Sequence, residues 1–181
     1  MRPHSYSSEG IVLGRRNFGE ADRILSIYTK TLGRISLLAK GIRRPKSKKR
    51  GHVEIFSLVK FQAISGHGID LMTEVDIIND FSETRKSLAK ISLAYYFMEV
   101  VGKITHEGEP NIDLFNLLLD FLNILSKTNS LKKLRMSFIL KLLTLMGYWP
   151  EGKEMNDADM VLEEVIERKI NSERVGRRVL E

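Results

Sequence analysis

Cysteine is absent from all 181 residues, which excludes disulfides and thiolate metal sites and permits a reducing cytosol. No apolar run is long enough to span a membrane. The densest, residues 114–125, is interrupted by Asn116, Asp120 and Asn123. The opening MRPHSYSSEG lacks the apolar segment of a signal peptide, so no secretory leader is expected. Hydrophobic residues make up 43% of the chain, an ordinary share that can fill a real core. These features read as a soluble, cytoplasmic protein.

Catalytic signatures are also missing. There is no G-x-x-x-x-G-K-[ST] loop and no G-x-S-x-G turn. The four histidines, His4, His52, His67 and His106, are scattered. His52 and Glu54 would share one face of a strand, but no third ligand is near, and a surface cross-strand pair explains them more simply. His67 sits between two glycines, as a turn residue does. Asp157 and Asp159 suit a helix start. Glu74 and Asp76 share a strand face without a visible pocket. The chain is therefore expected not to be an enzyme, with no catalytic residue, no cofactor and no metal.

What is abundant is positive charge in one place. Residues 1–51 hold thirteen Lys/Arg against three Asp/Glu, whereas residues 82–181 hold fifteen of each. Within residues 40–51, KGIRRPKSKKRG, seven of twelve are basic and none is acidic. Like charges repel, so such a run is either a solvated face or a seat for a polyanion.

The pattern changes near Ser82. Before it, five short β-branched segments are punctuated by glycine: residues 10–15, 23–29, 33–40, 52–64 and 69–80, with turns at Thr31-Leu32-Gly33 and Gly66-His67-Gly68. Five strands in this length fit a small OB-fold barrel. After Ser82 the chain reads as four helices. The first runs from a Ser82 cap to about Thr105, with Leu88, Ile91, Tyr95, Met98 and Val101 on its apolar face. The second runs from Asn111 to about Ser126, apolar on most sides and hence central. The third starts at Asn129 or Ser130 and ends at Gly147. The fourth is capped by Asp157, with Val161, Leu162, Val165, Ile166 and Ile170 facing inward. The expected architecture is α+β: a five-stranded OB-fold nucleic-acid-binding domain over residues 1–81 and an all-helical domain over residues 82–181.

The basic stretch would then be a long loop between the third and fourth strands, able to wrap a phosphate backbone without reading sequence. Lys40, Arg43, Arg44, Lys46, Lys48, Lys49 and Arg50 are the expected phosphate contacts, with Arg15, Arg16 and Arg23 in support. Phe18, Tyr28, Phe56 and Phe61 are the stacking candidates, each read first as core. On the third helix, Lys132, Lys133, Arg135 and Lys141 rim an apolar face that includes Phe138, a pattern that can receive an acidic peptide. Trp149, the single tryptophan, reads as a helix-end contact.

Several separated segments resemble one family. They are Glu9-Gly10-Ile11-Val12-Leu13, Asn17-Phe18-Gly19-Glu20-Ala21-Asp22-Arg23-Ile24-Leu25, Gly33-Arg34-Ile35 and Ala39-Lys40-Gly41-Ile42-Arg43-Arg44-Pro45-Lys46-Ser47. Asp70-Leu71-Met72-Thr73-Glu74, Glu107-Gly108-Glu109-Pro110-Asn111 and Met146-Gly147-Tyr148-Trp149-Pro150 follow in the same order. Together they resemble the RecO family of bacterial DNA-repair proteins. The resemblance implies an OB-fold followed by a helical domain. It implies a mediator of recombinational repair that binds single- and double-stranded DNA, anneals complementary strands and, with RecR, helps load RecA onto DNA coated by single-strand binding protein (SSB). It implies DNA contacts along the basic loop and a seat for the acidic C-terminal tail of SSB on the helical domain, here Arg135, Phe138 and Lys141. It places the protein in the cytoplasm with the nucleoid. Many relatives carry a four-cysteine zinc module after the Gly-Tyr-x-Pro segment. Residues 151–158 hold no cysteine, so no zinc site is expected. An OB barrel with a basic loop also fits an RNA-binding protein such as an RNA chaperone, or a protein-interaction adaptor whose loop serves solubility.

Overall fold

The computed structural model describes residues 4–44, 47, 53–153, 155 and 157–166. It divides into two compact units, one of residues up to Asp80 with Thr105–Ile112, the other of Phe81–Ile104 with residues from Asp113 onward.

The first unit is a closed barrel of five strands, β1 (Ser5–Phe18), β2 (Asp22–Thr29), β3 (Gly33–Ala39), β4 (Leu58–Ile64) and β5 (Asp70–Asn79), in the order β1-β2-β3-β5-β4. All pairings are antiparallel except β3 with β5, where Leu37 meets Asp70 and Leu38 meets Leu71. This is the five-stranded OB-fold barrel expected from the spacing of the apolar segments. Alternation fills it: Ile35, Leu37 and Ala39 on β3 and Leu25 and Ile27 on β2 join Val59, Phe61 and Met72 in one core. On β1 the register shifts between Val12 and Gly14, a bulge that sharpens the bend needed for closure.

The fourth strand starts later than its sequence suggests. Residues 53–57 form a tight turn, not strand. Phe56 has φ 59° and is fully buried, its N–H donating to the Val12 carbonyl (2.8 Å), while the Ser57 carbonyl accepts from the Val12 N–H (3.0 Å). Val53 and Ile55 alternate with His52 and Glu54, which imitates a strand. Val53 instead joins the barrel core and Phe56 is fully buried, and burial of an aromatic ring outweighs a left-handed cost of about 1–2 kcal/mol.

Thr105–Ile112 belongs to the barrel unit as a clasp. Gly108 N–H donates to the Arg34 carbonyl (2.9 Å), and Ser36 Oγ donates to Glu107 Oε1 (2.6 Å). The buried Tyr28 hydroxyl donates to the Asn111 carbonyl (3.3 Å), and burial pushes this phenol up to about 12. At Gly33, φ is 70° and an added Cβ would overlap the Glu109 backbone. Gly33→Ala therefore combines a positive-φ penalty with backbone displacement. We expect a loss of about 2–4 kcal/mol, read as a fall in the urea midpoint with little change of slope.

The second unit contains α1 (Ser82–Arg85), α2 (Leu88–Ile104), α3 (Ile112–Lys127), α4 (Leu131–Leu145) and α5 (Ala158–Ile166). The single helix expected from Ser82 to Thr105 is two. The Lys86 and Ser87 amides bond back only three residues, to the Glu83 and Thr84 carbonyls, which tightens and ends α1; the Ser87 carbonyl then accepts from Ile91 N–H (2.9 Å) to start α2. Nor is α3 the central helix. Its Leu114, Phe115, Leu118, Phe121, Leu122 and Leu125 form one buried face, and Asp113, Asn116, Asp120 and Asn123 lie opposite. The most enclosed helix is α2, with Leu93, Ala94, Phe97, Met98, Val100, Val101 and Ile104 all buried, whereas Leu88, expected inside, is 68% exposed. Among the described residues no helix is long and apolar enough to cross a membrane. Ile170 lies outside the described residues.

Candidate nucleic-acid interface

The basic stretch leaves the barrel at the end of β3 and its root is pinned. Gly41 turns the chain with φ 65°, and its N–H donates to Asp22 Oδ1 (2.7 Å). Ile42 drops into the core with no exposed surface. Arg43 N–H donates to the Ala21 carbonyl (2.9 Å), Arg44 N–H to Gly41 (3.1 Å) and Ser47 N–H to Arg44 (3.0 Å). The turn between β1 and β2 thus holds the root of the loop through one carboxylate and one carbonyl. Lys40, Arg43 and Arg44 are left exposed on it. Lys46, Lys48, Lys49 and Arg50 lie outside the described residues.

The three supporting arginines do not act as one group. Arg15 opposes Leu25 and Arg23 opposes Ala39, so both point to the face that carries the core. Arg15 Nη1 pairs with Glu54 Oε1 at 2.5 Å, and Arg23 Nε donates to Asn17 Oδ1 at 3.3 Å. Arg16 opposes Ile24 on the other face and is exposed. Among the described residues Arg16, Lys40, Arg43 and Arg44 make no ion pair, so their charge is available to an outside anion. Glu54, read from sequence as a neighbour of His52, neutralises Arg15 instead. Of the four stacking candidates, Tyr28, Phe56 and Phe61 are core, and Phe18 at the end of β1 is 50% exposed.

In the helical unit the three proposed peptide contacts separate. Phe138 has no exposed surface and lies tilted against Phe97 (ring centroids 4.1 Å) and edge-on to Phe121 (5.3 Å). Arg135 lies over the Tyr96 ring (4.8 Å) and pairs with Asp159 of α5. Burial works against its charge, yet Tyr96 and Asp159 outweigh burial and hold its pKa above the ordinary arginine value. Lys141 remains exposed, its ammonium 5.7 Å from the Phe121 ring centre, and Lys132 and Lys133 are exposed on the same helix. Beyond α4, Gly147 has φ 80° and Tyr148 N–H reaches back to Leu143, closing the helix; Trp149 Nε1–H then donates to the Lys153 carbonyl (3.0 Å).

Two family descriptions match this chain in tandem. "Recombination protein O N terminal" matches residues 1–81 and "Recombination protein O C terminal" matches residues 85–154. The chain belongs to the RecO family. A DNA repair protein RecO from Pelotomaculum thermopropionicum is 39% identical over 145 residues, covering 80% of this chain and 56% of that relative. Those from Rubrobacter xylanophilus and Dehalococcoides mccartyi are 39% and 35% identical, covering 80% and 84% of this chain and 58% and 60% of the relatives. The chain thus spans more than half, but less than two thirds, of the length of these RecO proteins. The N-terminal match takes in all five strands and the basic loop. The C-terminal match takes in α2, α3 and α4 and stops before α5, so Asp159, the partner of Arg135, lies outside both RecO matches.

Proposed function

We propose that this chain binds DNA through its barrel and acts as a strand-annealing mediator of recombinational repair. It works by binding, without a bond-breaking centre. The observation that carries the reading is the pinned loop root. Exposed Lys40, Arg43 and Arg44 stand on a turn fixed by Asp22 and Ala21, in a family whose members are named for DNA repair. A cationic segment rooted on a rigid barrel releases counterions on meeting phosphates and tolerates any base sequence, which is what annealing of arbitrary strands requires. In this reading single- and double-stranded DNA are the ligands, RecR is a partner, and the product is DNA made ready for RecA in the presence of SSB. The acidic tail of SSB docks on the α4 cations, with Lys141 the exposed contact, while Arg135 and Phe138 hold the helix from within.

The test is anisotropy of a labelled single-stranded DNA oligomer as salt is raised, with matched unlabelled DNA and RNA as competitors. We expect log affinity to fall linearly with log salt, with a slope of about −0.7 per phosphate contact. DNA should compete at least as well as RNA, and the protein should speed annealing of complementary strands. Preferential displacement by RNA would move the function to an RNA-binding protein, and a flat salt profile would remove the phosphate reading.

A further inference from the structure

We infer that Phe18 is a stacking platform for one unpaired base, placed on the strand of Arg16 and near the turn that holds Arg43, so that the barrel distinguishes single strands from duplex. This rests on the DNA-binding reading and adds a ligand feature to it. The ring is half exposed, although an aromatic of this size is ordinarily buried, and Ile11, Val12 and Leu13 of the same strand are buried. On β1 it lies two residues beyond Arg16 and on the same face, which the pairings Arg16–Ile24 and Phe18–Asp22 set opposite to Leu25 and the core. Three residues on, the Ala21 carbonyl holds Arg43 at the loop root. An exposed π face thus shares its strand face with the Arg16 cation and lies three residues from the carbonyl that holds Arg43. Stacking needs an unpaired base, whereas the cations serve both strands and duplex alike.

The experiment compares the parent with Phe18→Ala and Phe18→Trp on a single-stranded oligomer containing 2-aminopurine and on a duplex of equal length. Phe18→Ala is expected to weaken single-strand binding about five- to hundredfold, the range for loss of one base–aromatic stack. Its salt slope and duplex affinity should stay as in the parent, because no charge is removed. The 2-aminopurine emission change on binding should shrink, and Phe18→Trp should restore both. The side chain is exposed, so circular dichroism of the variants should match the parent. Equal binding and equal emission change in the parent and Phe18→Ala would overturn the platform while leaving the phosphate reading intact. Equal losses on single strand and duplex would assign Phe18 to holding the loop root and overturn it too. A parent that binds neither DNA would remove both readings together.

Discussion

Replacing Lys40, Arg43, Arg44, Lys46, Lys48, Lys49 and Arg50 together with Gln is expected to lower single-stranded DNA affinity on the order of a thousandfold at low salt. The fall in affinity and the fall in salt slope have one cause. Each lost phosphate contact removes a released counterion, so both must change in the same variant. Stability should stay level or rise slightly, because seven like charges repel one another in the folded chain. Asp22 keeps its bond to the Gly41 amide and Ile42 keeps its place in the core, since neither involves a basic side chain. A variant with parental affinity and slope would show the loop to be a solvated face and would return the adaptor reading. Thermal melting of the same sample separates lost contacts from lost fold.

Phe138→Ala is the other large expected effect, and it lies in stability. The ring is fully enclosed between Phe97 and Phe121, so truncation removes both its transfer energy and its edge and face contacts. A loss of about 3–5 kcal/mol is expected, comparable with the total stability of a small domain. It should be seen as a lower midpoint or loss of the cooperative transition of the helical unit. Lys141→Gln on the same helix should leave the melt unchanged and weaken only binding of an acidic C-terminal peptide of SSB. If instead Phe138→Ala melted like the parent and lost the peptide, Phe138 would be a surface groove residue and the packing described here would be wrong for it.

The barrel was legible because its signals are local. Period-two alternation and glycine-marked turns name the five strands before any contact is known. The misplaced start of β4 came from the same signal, since Val53 and Phe56 are apolar because they are buried in a turn, and not because a sheet face needs them there. In the helical half, Leu-rich stretches hid the face of α3, although Asp113, Asn116, Asp120 and Asn123 recur at helical spacing. The interior place of α2 shows in buried residues that include Ser92 and Ala94 beside Leu93, Phe97 and Val100, so its enclosure does not reduce to one apolar stripe. No glycine or proline marks the break between α1 and α2. Ion pairs were the least legible. Arg15 and Glu54 are 39 residues apart, and Arg135 and Asp159 are 24 apart. A single sequence contains no spacing rule that joins them. The cluster of charge at residues 40–51 is plain in composition, but which of the supporting arginines faces outward depends on strand register, and of the three only Arg16 does.

The clasp of Thr105–Ile112 has a consequence for how the chain is made. Synthesis delivers the five strands first, yet the Arg34 carbonyl and the Tyr28 hydroxyl find their partners only in Gly108 and Asn111. Between the two stretches the ribosome must emit the whole of α1 and α2. Until then the Arg34 carbonyl and the Tyr28 hydroxyl lack these two partners, although the five strands that pair into the closed barrel are already made. The finished barrel unit is thus discontinuous in sequence, its first eighty residues completed by eight that follow two helices.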